Sequence, residues 1–425
     1  LDLLITHVSN NPPSISHLLL GYDVTGESQV IPDPDSPSAS PGVFHAILAL
    51  LTTEDNSFQT LLAHYPVLAE RCFSLLLRLC TESYSSSATL RYLRTREDFF
   101  ATRLVAIPFA PTSRGEAQGA AVFPNGLSVP TTIGAAATSL TLKAYMLEMI
   151  SLEIHALSNA DMLNLAVPII DLLFDAEDDV GVRLLELISS FDFEWHDARD
   201  DVGQTLSLLG DLNIELAKRP DAATGPREFD LAKGAELLSS ARVELQRRGS
   251  LQDPAQRQLF ENEAGVILRY LAARNAHRAI SVARRGALRS WKHVLDIILS
   301  RCGSMLRSED RPSVLFDLLA TLLPRIVSGT DVAVIELLSG SVLALIASLR
   351  ARPEEHYETL PADRLIATLR SLIGAILQPG TSAMARGNLY SALINFLHLI
   401  TAQDNRNGDS NDTLSDNASI SGMSV

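Results

Sequence analysis

Cysteine is scarce: Cys72, Cys80 and Cys302 are the only three in 425 residues. An odd, widely spaced set builds no disulfide framework and fits a reducing compartment. Aromatic residues are also few, at 6%. Aromatics favour strands, whereas leucine, roughly one residue in six here, favours helices. No apolar run reaches the 18 residues or so that would cross a membrane, and the long uncharged stretch 118–142 is broken by Pro124, Gly126, Pro130 and Gly134. Basic residues are outnumbered, 35 Lys and Arg against 50 Asp and Glu, for a net charge of −15. A general nucleic-acid binder needs a basic footprint, so that class starts weak. The phosphate-binding glycine fingerprint, the P-loop, His-Glu-x-x-His, Cys-x-x-Cys and the Gly-x-Ser-x-Gly elbow are all missing, which leaves no motif for catalysis, cofactor or metal. Leu1 opens a start without a basic n-region, so no signal peptide is read there, and the chain reads as an excised piece of something longer.

What remains is a chain 46% hydrophobic and 20% charged, too apolar for whole-chain disorder. Its length suits roughly two to four domains, or one repeat array. Apolar residues recur at helical spacing almost throughout. Leu61, Tyr65, Leu68, Cys72, Leu75 and Leu79 form one stripe, and Leu288, Trp291, Leu295, Ile298 and Cys302 another. Further stripes run through Ile335, Leu338, Val342, Leu345 and Leu349, through Leu365, Leu369, Leu372 and Ile376, and through Leu389, Leu393, Phe396 and Ile400. After Asp331, Val334, Leu337 and Leu343 add apolar groups off the main stripe. Such a helix must be covered on more than one side. Stacked antiparallel helix pairs provide that cover, and without a strict repeat the expected fold is an all-α, irregular α-solenoid of the ARM/HEAT kind. Residues 1–401 are expected to form one continuous solenoid segment, with long loops at about 21–42 and 111–137. The polar stretch 402–425 is expected to be a disordered tail or linker.

Candidate chemistry is thin. Cys72 and Cys80 share one predicted helix with His64, but eight residues on a helix span roughly 12 Å, too far for one metal, so buried thiols are the better reading. Asp192, Glu194, His196, Asp197, Asp200 and Asp201 lack the ligand spacing and glycine of a calcium loop and read as a solvated acidic stretch. Interleaved with them, Phe191, Phe193 and Trp195 either anchor that loop to the core or receive an amphipathic basic peptide. The one concentrated basic region runs from Arg269 to Lys292 and includes Arg274, Arg278, Arg284, Arg285 and Arg289. It either pairs with acids on neighbouring helices or meets an acidic partner. Phe191, Phe193, Trp195, Arg278, Arg284, Arg285 and Arg289 are therefore the partner-binding candidates. Trp291 reads as a core anchor, and Thr95 as a cap for a helix whose first turn holds Glu97 and Asp98. The triplets starting at Asn411 and Asn417 read as chance in a polar tail.

Several local words go further. They are Leu3-Leu4-Ile5-Thr6 with Asn11-Pro12-Pro13 and Leu18-Leu19-Leu20-Gly21-Tyr22; His45-Ala46-Ile47-Leu48; Arg91-Tyr92-Leu93-Arg94-Thr95 with Asp98-Phe99; Leu184 to Ile188 leading into Phe191-Asp192-Phe193; and Arg284-Arg285 with Ala287-Leu288, Ser290-Trp291 and Ile297-Ile298-Leu299, then Glu309-Asp310-Arg311. In this order they resemble the middle part of the large inner-ring scaffold nucleoporins, the nucleoporin 192/205 family of the nuclear pore complex. The resemblance implies a non-enzymatic α-solenoid at the nuclear envelope, without cofactor, held to other scaffold and linker nucleoporins by their short linear motifs and so supporting nucleocytoplasmic transport. It implies no direct nucleic-acid contact and no transmembrane segment. None of the 14 phenylalanines precedes a glycine, so the chain is not transport-barrier material. The competing reading is a karyopherin-like soluble transport receptor, which requires a regular repeat near 40 residues that the sequence does not display.

Overall fold

A computed structural model describes residues 1–8, 14–22, 42–52, 57–96, 98–107, 120–122, 128–130, 132–174, 184–191, 206–221, 225, 227–303, 305, 311–351 and 362–420. Among them the helices in chain order are α1 (Asp2–Val8), α2 (Ile15–Leu20), α3 (Val43–Leu50), α4 (Ser57–His64), α5 (Pro66–Thr81), α6 (Ser86–Arg94), α7 (Phe99–Ala106), α8 (Thr132–Asn159), α9 (Val167–Phe174), α10 (Leu184–Ser190), α11 (Leu231–Arg247), α12 (Pro254–Arg301), α13 (Arg311–Ser328), α14 (Val332–Ala351), α15 (Ala362–Leu377) and α16 (Ala383–Ile420). One antiparallel ladder, β1 (Ala120–Val122) with β2 (Ser128–Pro130), is the only sheet among the described residues. The fold is all-α, of the irregular solenoid class.

Local chemistry sets the helix ends. Pro66 stands first in α5, where its missing N–H costs nothing, and it splits the stripe expected as one helix into α4 and α5. Tyr65, the residue at the break, is exposed instead of buried. Asp230 caps α11, accepting from the backbone N–H groups of Ala232 and Lys233. Gly21, at φ 95°, closes α2 in the left-handed region that glycine tolerates. Thr95 departs from expectation. It ends α6, its hydroxyl donating to the Tyr92 carbonyl at 2.7 Å, and Asp98 takes the position before α7.

Two further expectations change. The segment 111–137 is not loop throughout, since the β1–β2 ladder and the first turns of α8 fall inside it. The polar stretch after Thr401 continues the backbone of α16 to Ile420. Extending an existing helix requires no new nucleus, so a packed stem carries polar turns that would not form alone. Most of the expected 21–42 loop lies outside the described residues.

The chain divides into two compact units, residues 1–146 with 189–287, and residues 147–188 with 288–425. In the first, successive helices from α1 to α7 pack on one another, and α1 also meets α5. Its later part is a hairpin of α11 and α12. Arg242 pairs with Glu261 at 3.0 Å, and Gly234 lies so close to Leu271 that a Cβ there would come within 2.8 Å of it. One number rises as the other falls, so these helices run antiparallel. Leu238, Phe260, Ile267, Leu268 and Leu271 join Phe229 and Leu209 in the core beneath.

The second unit shows solenoid layering most clearly. Three residues join α13 to α14, forcing the chain back on itself. Across α14 and α16, Ser382 donates to Glu336 at 2.6 Å, Asn388 to Ser339 at 3.2 Å and Arg350 to Asn395 at 2.5 Å. Both numbers rise together, so α14 and α16 run parallel, as equivalent helices of successive layers do. Contacts of α13 with α15 complete the second layer, aided by Arg364 reaching Ser313 and Asp317. No unbroken apolar run is read in α14, because Glu336, Gly340 and three serines interrupt it, yet on average the helix is long and apolar enough to cross a membrane by length and composition. Its Ile335, Leu338, Val342, Leu345, Ile346 and Leu349 are buried, and it packs against α13 and α16, which makes it a core helix.

Trp291 is fully buried on α12 and donates its indole N–H to the Leu184 carbonyl at 3.0 Å. Trp291→Ala is expected to destabilise the second unit by about 3–5 kcal/mol. Trp291→Phe keeps most of the packing and strands one buried carbonyl, for about 1–3 kcal/mol. Urea denaturation followed by far-UV circular dichroism checks both values and their order.

Candidate functional site

Phe191 directly follows α10 and is fully buried. Its ring is an internal anchor and is not presented to a partner. Phe193, Trp195 and the acidic residues interleaved with them lie outside the described residues.

The basic stretch falls within the single 48-residue helix α12. Its first half grips the segment leading into α11. Arg274 forms an ion pair with Glu228 at 3.1 Å, and Arg278 donates to the Gly225 carbonyl at 3.2 Å. Between them, Asn275 takes the backbone N–H groups of Glu228 and Phe229 on its Oδ1, at 2.9 and 2.7 Å, and returns an N–H to the Phe229 carbonyl at 2.9 Å. Positions 274, 275 and 278 share one flank of the helix, which holds the preceding segment like a strand. Lys218 and Phe229 close that segment with an isolated antiparallel bridge. Arg284 and Arg285 are half-buried, and Arg285 donates to the Ser281 carbonyl one turn back. Arg289 is exposed. The structure thus draws Arg274 and Arg278 into internal contacts and leaves Arg289 facing solvent.

Two polar groups absent from the sequence reading organise these surroundings. Glu263, 3% exposed on α12, receives the backbone N–H groups of Ser207, Leu208 and Leu209 and the Ser207 hydroxyl, at 2.7–3.2 Å. Burial works to raise its pKa, yet these donors together hold it below the ordinary carboxylate range. A lone acid between Phe260 and Ile267 on an otherwise apolar stripe was the available signal. In the second unit, His293 meets the Glu148 carboxylate at 3.0 Å. That hydrogen bond lowers the pKa of Glu148, helped by the charges of His293 and Arg289, and raises that of His293, against the opposing effect of burial. The partners are 145 residues apart, and no local pattern announces them.

The cysteine and histidine candidates lie apart. Cys72 and Cys80 are buried in α5, His64 is exposed on α4, and no group of three or more His, Cys, Asp or Glu converges among the described residues. Burial pushes the Cys72 and Cys302 thiols up, away from reactivity. At the start of α5 an open groove is lined by Leu1, His64, Tyr65, Pro66, Val67 and Leu68 and edged by the Asp2–Arg71 ion pair.

Comparison with known proteins gives two findings. The family model described as nuclear pore complex scaffold, nucleoporins 186/192/205, matches residues 1–422. The human nuclear pore complex protein Nup205 is 26% identical over 379 residues, an alignment covering 82% of this chain and 18% of that protein. The chain therefore spans less than a fifth of that relative's length.

Glu263→Gln, which leaves a buried amide facing N–H donors, is expected to cost roughly 2–4 kcal/mol. Because the folded pKa of Glu263 is depressed, its contribution is complete above about pH 4.5 and is lost as pH falls through the folded value. Urea midpoints measured from pH 7 downward should converge for wild type and Glu263→Gln. The Glu148–His293 pair has two limits. The lowered Glu148 contributes above about pH 4.5, and the raised His293 contributes in full below about 6.5 and fades as pH climbs through its folded value. The stability difference between wild type and His293→Ala should therefore peak between those limits, as read by urea midpoints across that range.

Proposed function

This chain belongs to the nucleoporin 186/192/205 family of nuclear pore complex scaffolds, and from that premise we propose that it acts as a load-bearing section of the inner ring of the pore, holding other nucleoporins through their short linear motifs and so supporting nucleocytoplasmic transport. The observation that carries this reading is the family match over residues 1–422. The layering of α13 to α16 supplies the physical means. Each layer is fixed to the last by buried stripes and by polar contacts in register, so motifs bound on different layers are held at set separations. Many weak sites at fixed spacing bind together far more tightly than any one of them. The role is structural, and its mechanism is geometric.

A karyopherin-like receptor would show helices of similar length repeating near every 40 residues. Here helices range from six residues in α2 to 48 in α12, which favours the scaffold.

Of the arginine candidates, Arg289 is the exposed one and the best placed to meet an acidic motif. Recombinant chain incubated with immobilised linker nucleoporins should retain at least one of them, and Arg289→Glu should weaken that retention under conditions where circular dichroism shows the variant folded, its lost charge beside Glu148 costing only a small shift of the urea midpoint. Failure of both this chain and its full-length parent to retain any linker nucleoporin would overturn the scaffold reading.

A further inference from the structure

The turn that joins α11 to α12 carries a word that the rest of the fold does not use. Its residues are Arg247-Arg248-Gly249-Ser250-Leu251. Two arginines stand three and two places before a serine, and an apolar residue follows it. A kinase cleft lined with carboxylates takes such arginines through charge-assisted hydrogen bonds, and an apolar pocket beside it takes the next side chain. The pair Arg-Arg occurs at one other place in the chain, in Arg284-Arg285-Gly286, and there Ala287 fills the acceptor position and is fully buried.

The geometry of the turn leaves the word readable. The side chains of Arg247 and Arg248 are 77% and 67% exposed, and both hold Glu244 on the same helix, at 3.0 and 2.9 Å. Such surface pairs contribute little and exchange readily. Gly249, at φ 79°, ends α11 in the left-handed region. Its N–H donates to the Gln246 carbonyl and that of Ser250 to the Leu245 carbonyl, both at 3.0 Å. Ser250 is partly exposed, and its hydroxyl makes no hydrogen bond among the described residues. The hydroxyls of Ser207 and Ser382, by contrast, tie separate segments together. Leu251 is 6% exposed and joins Leu209 and Phe260 in the core.

We propose that Ser250 is the acceptor site of an arginine-directed serine kinase, reached by local opening of this turn. To lie extended in a kinase cleft, the turn breaks its two closing hydrogen bonds and releases Leu251 from the core, while the bodies of α11 and α12 stay folded. In the step, Ser250 Oγ bonds to the γ-phosphorus of ATP as the bond from that phosphorus to the β–γ bridging oxygen breaks. ADP leaves, and the hydroxyl proton passes to the catalytic carboxylate of the kinase. The product places about two negative charges at the carbonyl end of α11. Arg247 and Arg248 then turn from Glu244 to the phosphate, and the arginine surplus at this end of the hairpin is cancelled. This site goes beyond the scaffold reading and does not depend on it.

The test incubates recombinant chain with Mg-ATP and the catalytic subunit of cyclic-AMP-dependent protein kinase, which belongs to the arginine-directed class. Peptide mapping by mass spectrometry should place a phosphate on Ser250. Replacing both arginines, Arg247→Ala with Arg248→Ala, should lower kcat/KM at that serine by about tenfold or more. Gly249→Ala keeps the recognition word and strains the left-handed turn. It should therefore speed phosphorylation of the folded chain by about fivefold, and leave that of a free peptide spanning 245–253 unchanged. Far-UV circular dichroism checks that each variant is folded. A bare Ser250 in the folded chain under conditions that phosphorylate the peptide, a rate indifferent to the two arginines, or a Gly249→Ala chain no faster than wild type would each overturn the proposal.

Discussion

A helix with apolar side chains on several flanks has to be covered on several flanks, and α14 is where that constraint acts hardest. Ile335, Leu338, Val342, Leu345 and Leu349 make its main stripe, and Val334 and Ile346 are buried beyond it. One partner cannot cover all of these. α13 takes one side by reversing through a three-residue turn, and α16 takes another by running parallel two helices later. Burial of each such side chain contributes about 1.5–3 kcal/mol, so the arrangement of the unit follows from how α14 is covered. The same length and hydrophobicity that would suit a lipid bilayer are used here to bind layers together.

Apolar burial has little direction, and the polar contacts supply it. Ser382 on Glu336 and Asn388 on Ser339 fix how far α16 slides along α14. The indole N–H of Trp291 ties α12 to the start of α10. In the other unit, Glu263 gathers three consecutive backbone N–H groups that would otherwise be left without partners near the core. These bonds explain why the stack has a definite register, which a structural protein needs more than it needs a large margin of stability.

The helical character and the buried stripes were legible because helical spacing is a local signal. Leu288, Trp291, Leu295, Ile298 and Cys302 are all buried as their spacing implied, and Trp291 is the anchor its place on the stripe suggested. Punctuation was harder. The stripe through Tyr65 read as continuous because periodicity took no account of Pro66. Thr95 looked like a helix start because the acids after it outweighed the helix before it. Helix after Thr401 escaped notice because composition does not register an extension from a packed stem. The site was the least legible part. Basic residues at 274 and 278 formed a visible run, but their acceptors at 228 and 225 are set by the hairpin, and the Glu148–His293 contact depends on helices far apart in sequence.

These features suit a part that stays in place. Arg274, Arg278 and Glu263 contact the chain itself, its three thiols are buried, and its family is that of the pore scaffold. The central claim is permanence, and fluorescence recovery of the tagged full-length protein at the nuclear envelope tests it most directly. The scaffold account predicts recovery over hours, limited by exchange of the assembled pore. Recovery within seconds would contradict it and mark a protein that passes through the pore without building it.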